Sequence, residues 1–524
     1  MSGRVVIVGA GIGGLAAALR LAHAGCAVTV IDALSAPGGK MRTVPSAAGP
    51  VDAGPTVLTM LPVFAELFAD VAEDLSAHLT LTPLPVLARH FWQDGARLDL
   101  MADPEASAAN IAAAFGNRAA DDFRAFRARA RRLFDAFDAP MMQAPKPSQA
   151  ALTARVLRQP RLIADMAPHR SLAGMLRGAF RDPHLAQLFG RYATYVGGSP
   201  FRSPALLALI AESEARGVWA VQGGMHRLAQ VIETLARARG ARFHYATRAL
   251  RIEVQDGAAC AVQTTAGDFA ADAVLFNGDP RALATGLLGD GAQRAAPQAA
   301  QAPRSLSAYV HAFAATPAGV DLAYHNVFFG PSLAAEFTPL MRGHRPDNAT
   351  LYVCAQDRAG EPPAGVERFE IILNGPPTGD GPEPEKAETE RDRAACQTQV
   401  FDRLAQFGLT FTPRPDPSAL MTPHGFAQIF PASQGSLYGQ SPHGLTAALR
   451  RPTARTAVPG LYLAGGGAHP GAGVPMATLS ARHAAGAILT DLASRSTFRP
   501  KAMPGGMSTG SATMAPAPSR SSAS

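Results

Sequence analysis

Residues 5–32 constrain the fold of this chain more than any other stretch. Residues 5–8 read Val-Val-Ile-Val, a short apolar run that predicts a buried parallel strand. A glycine-rich turn at residues 9–14 opens a helix, and a second apolar run ends at Asp32. Strand, glycine turn, helix, strand and terminal acid in this order predict a βαβ unit with a dinucleotide-binding fingerprint.

Each glycine of the fingerprint has a separate task. Gly9 permits the tight turn, Gly11 lets the backbone approach a pyrophosphate, and Gly14 allows the helix to pack closely on the strand. The helix N-terminus offers unpaired N–H groups to the phosphates. Asp32 can accept hydrogen bonds from a ribose hydroxyl and disfavours a 2′-phosphate, which leaves NAD or FAD. A βαβ crossover that binds nothing is the structural alternative.

The residues that follow Asp32 favour FAD over NAD. An NAD-binding domain would continue with another helix here, whereas this chain continues with Gly38, Gly39, Lys40 and Arg42. This segment can supply backbone N–H groups and positive charge to a pyrophosphate. Taken alone, the glycine pair would indicate an ordinary turn.

A second glycine-rich turn, at residues 465–473, precedes an alanine-rich helix predicted from Ala477 to about Leu492. The chain is therefore expected to return to its first domain at its end, with this helix N-terminus directed at the cofactor. No second Gly-x-Gly-x-x-Gly occurs in mid-chain, so we predict a single bound nucleotide.

Composition limits the partners. The chain has 524 residues and a net charge of +7, and its arginines are concentrated in residues 118–191, including Arg124, Arg127, Arg129, Arg131 and Arg132. This concentration indicates either a solvated helical face or a surface that sits on anionic lipid. Basic residues are not interleaved with aromatic ones, so we expect no nucleic-acid partner.

Cysteine usage and hydropathy predict a cytoplasmic protein without a metal site. The four cysteines are widely scattered and none has metal-ligand spacing, which predicts reduced thiols. The N-terminal apolar stretch is broken by the glycine turn and does not resemble a cleavable signal. The sequence contains no run of about 20 apolar residues, so we expect no transmembrane helix.

Periodicity organises the rest of the chain. Large apolar residues recur at helical spacing from residue 119 to about 188, with proline interruptions near residues 140–147. Residues 286–302 predict a surface connection, and residues 495–524, rich in Ser, Pro, Gly, Met and Ala, predict a disordered tail. Strands are predicted at residues 242–245, 249–254, 260–265 and 273–276, with a hairpin turn at residues 255–257.

Together with several further motifs, these residues resemble the flavin-dependent carotenoid desaturases of the bacterial phytoene desaturase type. The matching motifs are residues 8–15, 52–57, 195–200, 217–219, 223–224 and 469–475. The resemblance implies a noncovalent FAD, a carotenoid substrate held in a long apolar channel, and peripheral attachment to a membrane surface. The FAD contacts that it implies are Gly9, Gly11, Gly14, Asp32, Gly39, Lys40 and Ala249, with Gly465, Gly466, Gly473, Val474 and Met476 beside the flavin.

The resemblance also implies an α/β fold with a discontinuous Rossmann-like FAD-binding domain. Residues 1–90, 216–285 and 440–494 would form that domain. An α+β substrate domain with a helical, membrane-facing region would take residues 91–215 and 286–439. The expected location is cytoplasmic, peripherally associated with the inner or photosynthetic membrane.

Two segments resemble one branch of this family more than the others. Residues 465–476 read Gly-Gly-Gly-Ala-His-Pro-Gly-Ala-Gly-Val-Pro-Met, and residues 223–228 read Gly-Gly-Met-His-Arg-Leu. Both look more like the branch that introduces a C-3,4 double bond into 1-hydroxy and 1-methoxy carotenoids than like the phytoene enzymes. The reaction then depends mainly on orientation and exclusion of water. The sequence identifies no catalytic base, and His469 is predicted to order a turn rather than move protons.

Other functions remain open at this stage. Three other kinds of protein share this scaffold: a phytoene desaturase, another oxidoreductase of the flavin amine oxidase fold, and a non-enzymatic lipid carrier that has lost its flavin. The retained glycines, Asp32 and the C-terminal glycine motif favour the enzyme over the carrier.

Overall fold

A computed structural model describes residues 3–361, 363–379 and 389–497 of the chain. Its strands are β1 (Arg4–Val8), β2 (Ala27–Ile31), β3 (Thr43–Val44), β4 (Val51–Asp52), β5 (Leu81–Pro83), β6 (Val86–Phe91), β7 (Arg97–Met101), β8 (Trp219–Val221), β9 (Arg242–His244), β10 (Ala249–Gln255), β11 (Ala258–Thr264), β12 (Gly267–Ala270), β13 (Ala273–Phe276), β14 (Ser307–Ala318), β15 (His325–Phe328), β16 (Leu351–Ala355), β17 (Glu367–Gly375), β18 (Thr410–Thr412), β19 (Leu420–Met421) and β20 (Leu461–Leu463).

The α-helices are α1 (Ile12–His23), α2 (Leu61–Ala69), α3 (Leu75–His78), α4 (Pro104–Phe115), α5 (Asn117–Phe137), α6 (Gln149–Leu157), α7 (Pro160–Met166), α8 (Leu172–Ala179), α9 (Pro183–Gly190), α10 (Ile210–Ala215), α11 (His226–Ala238), α12 (Pro280–Ala284), α13 (Leu333–Leu340), α14 (Glu390–Gln406), α15 (Pro423–Ile429) and α16 (Val474–Thr497). The predicted tail, residues 495–524, lies outside the described residues except for residues 495–497, which end α16.

A parallel sheet in the strand order β20-β13-β1-β2-β9 forms the core of the nucleotide domain. Every residue of α1 except His23 is buried, because the helix packs between this sheet, α11 and α16. Alanine and glycine supply much of its surface, which lets the neighbouring helices approach closely. The predicted βαβ unit is therefore present, and its helix is completed by elements from distant parts of the chain.

A large mixed sheet forms the core of the second half of the molecule. Its strand order is β18-β14-β17-β16-β15-β6-β7, with β19 paired to β14. The helix α14 covers one face of this sheet through Cys396, Val400, Phe401 and Leu404. The opposite face meets the helical region built from α4 to α10 and the loops next to β4.

The helical region follows the predicted periodicity. Along α5, the side chains of Phe123, Phe126, Leu133 and Phe137 are buried against the large sheet and the other helices. The described residues contain no helix long and apolar enough to span a membrane. In the same part of the chain, no group of three or more His, Cys, Asp or Glu side chains is placed to hold a metal ion.

The structure refines one expectation from the sequence. Residues 286–302 lie at the surface, but they are not irregular throughout, because short 3-10 helices at Asp290–Ala295 and Pro297–Ala299 bury Ala292, Ala296 and Ala299 against the nucleotide domain. Alanine is small and weakly apolar, so its run has no clear periodicity even where it is buried.

The strand pairing also bears on the expected domain boundaries. The boundary placed at residue 90 falls within β6, and all of β6 belongs to the large sheet. All of the domain boundaries stay predictions.

Candidate active site

Two glycine loops that are separate in the sequence lie side by side at the carboxyl end of β1. Gly11 and Gly38 form an isolated parallel bridge, and a Cβ built on Gly39 would lie 3.2 Å from the Cα of Gly11. A Cβ on Gly14 would lie 2.0 Å from the carbonyl oxygen of Gly9, whose φ of 105° also favours glycine. The loops therefore form a shallow cradle lined by backbone.

The N-terminus of α1 opens into this cradle. Its N-cap residue is Gly11, and no side chain caps the helix, so the first N–H groups stay available to an anion. Asp32 accepts hydrogen bonds from the backbone N–H groups of Ala10, at 2.6 Å, and Leu34, at 2.7 Å. Burial raises the pKa of Asp32, and both N–H groups oppose that effect. The carboxylate is thus held at the edge of the cradle where a ribose is expected.

The adenine end of the expected site is also assembled. The backbone N–H of Thr247 donates to the carbonyl of Asp32 at 2.9 Å, which brings the segment before Ala249 next to Asp32. Ala249 itself begins β10 and is half buried. The structure therefore places Ala249 close to the ribose-binding acid predicted from the sequence.

Asn277 was not predicted from the sequence, yet it lies at the centre of the cradle. It follows β13, and its Nδ2 donates to the carbonyl of Gly9 at 3.1 Å. Its Oδ1 is buried without a hydrogen-bond partner among the described residues, and a Cβ on Gly13 or Gly465 would lie 2.5 Å from it. Asn277 thus joins the N-terminal fingerprint to the C-terminal glycine motif. Its position at the end of a parallel strand was the available signal.

Two buried cations connect the cradle to the segment before α16. Lys40 Nζ donates to the carbonyl of Leu437 at 2.6 Å, and Arg451 donates to the carbonyls of Gly466, Tyr438 and Gln440 at 2.7, 3.0 and 2.9 Å. Burial lowers the pKa of Lys40 to about 8 and that of Arg451 to about 10. An anion bound nearby would stabilise both charges.

The C-terminal motif completes the site from the other side. Gly465 and Gly473 have φ values of 94° and 111°, and α16 begins with the N–H of Ala477 donating to the carbonyl of Gly473 at 2.9 Å. Val474 and Met476 lie in the first turn of this helix. His469 donates to the carbonyl of Ala144 at 2.8 Å, which joins this motif to the loop after α5; its role in ordering a turn stays a prediction.

One face of the large sheet carries a row of buried polar side chains. Strand pairing places His325 opposite Cys354 and Cys354 opposite Glu370, while Tyr352 and His90 both lie opposite Val327. Residues paired across strands share a face, so all of these side chains point towards the helical region and the β4 loops. We call His90, His325, Tyr352, Cys354 and Glu370 the polar row.

The polar row is linked to the nucleotide side of the molecule. Tyr352 shares its hydroxyl between Thr56 Oγ1 and His325 Nδ1, each at 2.6 Å. Thr56 follows Gly54, whose Cβ would lie 2.0 Å from the carbonyl of Lys40. Burial raises the pKa of Glu370 well above its ordinary value, with the charge of Asp52 adding to this effect.

A second polar group packs over the other end of the row. Tyr192 and Tyr195 both donate hydrogen bonds to Glu214, the first at 2.5 Å. The Arg191 guanidinium lies 5.6 and 5.5 Å from the centroids of these two rings. Around them, Trp92, Phe189 and Phe329 belong to the apolar core of the helical region.

Comparisons with known proteins agree with this geometry. The chain matches the family described as flavin containing amine oxidoreductase over residues 12–489. It is 56% identical over 495 residues to a hydroxyneurosporene desaturase of Cereibacter sphaeroides, covering 94% of this chain and 99% of that relative. It is 49% identical over 489 residues to a hydroxyneurosporene desaturase of Rhodobacter capsulatus, covering 93% and 98%. A solved structure of putrescine oxidase bound to putrescine matches with a TM-score of 0.58 at 15% identity, covering 94% and 99%, which shows a shared fold.

The fold and its cradle define a flavin-dependent oxidoreductase whose cofactor is FAD. The backbone cradle, the uncapped helix N-terminus and the two buried cations fit an anionic dinucleotide. The chain belongs to the flavin-containing amine oxidoreductase family and, within it, to the carotenoid desaturases. The predicted cofactor, enzyme class and family are thereby confirmed.

Proposed function

We propose that this enzyme introduces a C-3,4 double bond into 1-hydroxy and 1-methoxy carotenoids of the hydroxyneurosporene type. The observation that carries this proposal is the near full-length similarity, at 56% and 49% identity, to two hydroxyneurosporene desaturases. The buried polar side chains next to an otherwise apolar core are consistent with a substrate that is a hydrocarbon with one polar end.

Bound FAD supplies a two-electron acceptor, and the protein supplies orientation and a dry site. We propose that Gly9, Gly11, Gly14 and the N-terminus of α1 hold the pyrophosphate, while Asp32 and Ala249 hold the adenosine. Gly39 and Lys40 close over the phosphates. The backbone around Gly465, Gly466, Gly473, Val474 and Met476 then lies against the flavin ring. We assign no catalytic base.

The cofactor site can be tested by replacing one glycine. At Gly11 a new Cβ would lie 3.1 Å from Asn277 Nδ2 and 3.9 Å from the carbonyl oxygen of Gly38, so Gly11→Val should fold but fill the space for the pyrophosphate. Colourless protein with a normal circular dichroism spectrum is expected. Gly360→Val, at an open surface position, is the matched control and should stay yellow. Stoichiometric FAD in Gly11→Val would contradict the assignment.

The substrate assignment needs a competition experiment. Hydroxyneurosporene, neurosporene and phytoene are offered together to the FAD-loaded enzyme, and the products are separated and identified by their absorption spectra. Preferential formation of the 3,4-desaturated hydroxycarotenoid is expected. Efficient multi-step desaturation of phytoene would instead identify a phytoene desaturase, which is the alternative function.

We also propose that the enzyme is cytoplasmic and binds a membrane surface peripherally through α6, α7 and the loops beside them. Leu157 and Ile163 are exposed large apolar residues on these helices, and Phe201 and Leu445 are exposed on neighbouring loops. The loops adjoin because Gly444 N–H donates to the carbonyl of Arg202. Arg155, Arg158 and Arg161 are exposed around them, which suits anionic lipid.

The arginines on α5 are a poorer match to a lipid surface. Arg124 pairs with Glu105, Arg127 with Glu212 and Arg132 with Asp165, so their charges are balanced within the protein. The proposed surface is therefore narrower than the arginine-rich residues 118–191.

Liposome flotation tests the proposed surface. Leu157→Asp should weaken binding to vesicles of phosphatidylcholine and phosphatidylglycerol, and added salt should weaken it further. Leu287→Asp is the matched control, since Leu287 is similarly exposed but lies on the nucleotide domain. Equal binding of both variants would remove this surface from consideration.

A further inference from the structure

Three buried nitrogen atoms around one point of the polar row have no hydrogen-bond partner among the described residues. They are His90 Nε2, His325 Nε2 and Arg191 Nε. The Arg191 guanidinium lies 5.5 Å from the centroid of the Tyr195 ring, and Tyr195 packs against the same apolar cluster as Tyr352, which is hydrogen-bonded to His325. The charge of Arg191 lowers the pKa of both histidines in addition to the larger effect of burial. Buried polar atoms without partners are costly, so such a group is expected to meet a polar ligand atom.

The backbone fixes the spacing of the two histidines. They lie on the paired strands β6 and β15, on the same face and two residues apart in register, since His90 is opposite Val327. Strand spacing and rise put their Cα atoms about 8 Å apart. Arg191 begins a 3-10 helix at Arg191–Val196, and its charge acts on both imidazoles. Two imidazoles and a guanidinium thus bring three nitrogen atoms, without partners in the described part of the chain, to one buried part of this sheet face.

We propose that His90, Arg191 and His325 bind the oxygen on C-1 of the carotenoid end group, an inference that rests on the proposed function. The oxygen on C-1 is only a few bonds from C-3 and C-4. The hydrogen-bonded chain His325–Tyr352–Thr56 leads from this point to the Gly54 loop beside Lys40. Holding the oxygen here therefore limits which carbon–carbon bond can reach the cofactor.

His90 has a fixed role in this group. Its Nδ1 lies 3.1 Å from the carbonyl of Leu98, so Nδ1 carries the proton and donates. Burial lowers the pKa of His90 to about 3, so the ring is neutral at physiological pH. Nε2 is then a bare acceptor, which can bind a hydroxyl group but has no hydrogen to offer an ether.

His325 can serve either kind of oxygen. If Tyr352 donates to Nδ1, then Nε2 carries a proton and can donate to an ether or hydroxyl oxygen. If Tyr352 donates to Thr56 instead, Nδ1 donates to Tyr352 and Nε2 becomes an acceptor. Both arrangements keep the Thr56–Tyr352–His325 chain intact. One site can thus accept a 1-hydroxy substrate and a 1-methoxy substrate, while a plain hydrocarbon leaves all three nitrogen atoms unpaired.

Binding of non-reacting carotenoids tests this assignment. Each FAD-loaded protein is titrated with three carotenoids that already contain the 3,4 double bond and differ only in bearing a 1-hydroxyl, a 1-methoxyl or no oxygen. Quenching of tryptophan fluorescence reports Kd. The wild-type protein should prefer the hydroxylated compound over the hydrocarbon by about 10-fold or more, as expected where an analogue leaves a site's polar groups unpaired.

The variants separate the two histidines. In His325→Phe, the Kd of each oxygenated compound should become close to the Kd of the hydrocarbon. In His90→Phe, binding of the hydroxylated compound should weaken more than binding of the methoxylated one. The hydrocarbon should bind as tightly as before. His311→Phe is the matched control, because His311 is equally buried and unpaired on the opposite face of the same sheet.

Several outcomes would overturn the inference. A wild-type preference that survives in His325→Phe and His90→Phe means that the three nitrogen atoms meet only water. If His325→Phe loses FAD or fails to fold, Tyr352→Phe replaces it, since that variant removes the hydrogen-bond partner that sets the tautomer of His325 and should change the ratio of hydroxyl to methoxyl affinity. No change in Tyr352→Phe and His90→Phe would also overturn it. If the wild-type protein desaturates hydroxyneurosporene but shows no binding preference, the proposed function holds and the anchor is refuted. If the wild-type protein desaturates only phytoene, the proposed function itself is refuted.

Discussion

The two faces of the large sheet differ sharply although they are built from the same strands. One face is covered by α14 and is dominated by aromatic rings, including Phe91, Phe328, Phe369 and Phe401. The other face carries the polar row, which has neutral histidines, a raised carboxyl pKa and unpaired nitrogen atoms. Packing accounts for the first face apart from His311, whose ring nitrogen atoms are buried there without a partner among the described residues. On the second face, buried polar groups lower the stability of the fold. Such groups are typical of a ligand-binding site rather than of structural support.

The largest effect expected from this comparison is on the aromatic face. Phe401 is buried and makes edge contacts with Phe313 and Phe411, so Phe401→Ala removes packing and leaves a cavity. We expect a loss of about 3–5 kcal/mol in the free energy of unfolding. Chemical denaturation measures this value. The preference among carotenoids should be unchanged in the folded fraction, and a changed preference would break the distinction between the faces.

An intermediate effect is expected at Glu370 on the polar face. Its pKa is higher in the folded than in the unfolded protein because of burial. The contribution of Glu370 to the free energy of unfolding is therefore complete below about pH 4.5. It is lost as pH rises towards the pKa of the folded protein, by up to about 1.4 kcal/mol per pH unit. Glu370→Gln should remove this loss, so the variant gains stability relative to wild type between pH 5 and 7. The raised pKa would be contradicted if chemical denaturation gave the same difference in stability between wild type and Glu370→Gln at pH 5 and pH 7.

The smallest effect concerns His311, the exception on the aromatic face. Both of its ring nitrogen atoms are buried without a partner, and burial lowers its pKa to about 4. A lowered histidine pKa costs stability as pH falls below about 6.5, since the unfolded chain takes up the proton first. His311→Phe should gain about 1 kcal/mol at pH 7.5 and about 1.4 kcal/mol more at pH 5.5. A loss of stability at both pH values would show that His311 has an unrecognised partner.

Local signals in the sequence predicted the nucleotide end well. The glycine fingerprint, the helix after it and the hairpin at Asp256-Gly257 depend on backbone conformations that a few residues determine, and all three are present. The return of the C-terminal glycine motif to the first domain was also predicted correctly, because a parallel sheet gathers the carboxyl ends of its strands.

The polar row could not be predicted, because it depends on long-range strand register. His90, His325, Tyr352 and Glu370 are spread over four strands, and nothing local indicates which of their neighbours share a face. A shift of one residue in any pairing would have turned a side chain to the other face. Arg451 was missed for a related reason, since its three carbonyl partners come from two loops without regular structure.

The position of α16 has a consequence for how the chain matures on the ribosome. The helix α1 leaves the ribosome first, but α16, which covers it, is made last. At ordinary rates of translation the apolar surface of α1 stays without its final neighbour for on the order of tens of seconds. The cradle is incomplete in that interval, because Gly465, which packs against Asn277 and Gly13, is not yet in place. We therefore expect FAD to be retained best by chains that have been made as far as α16.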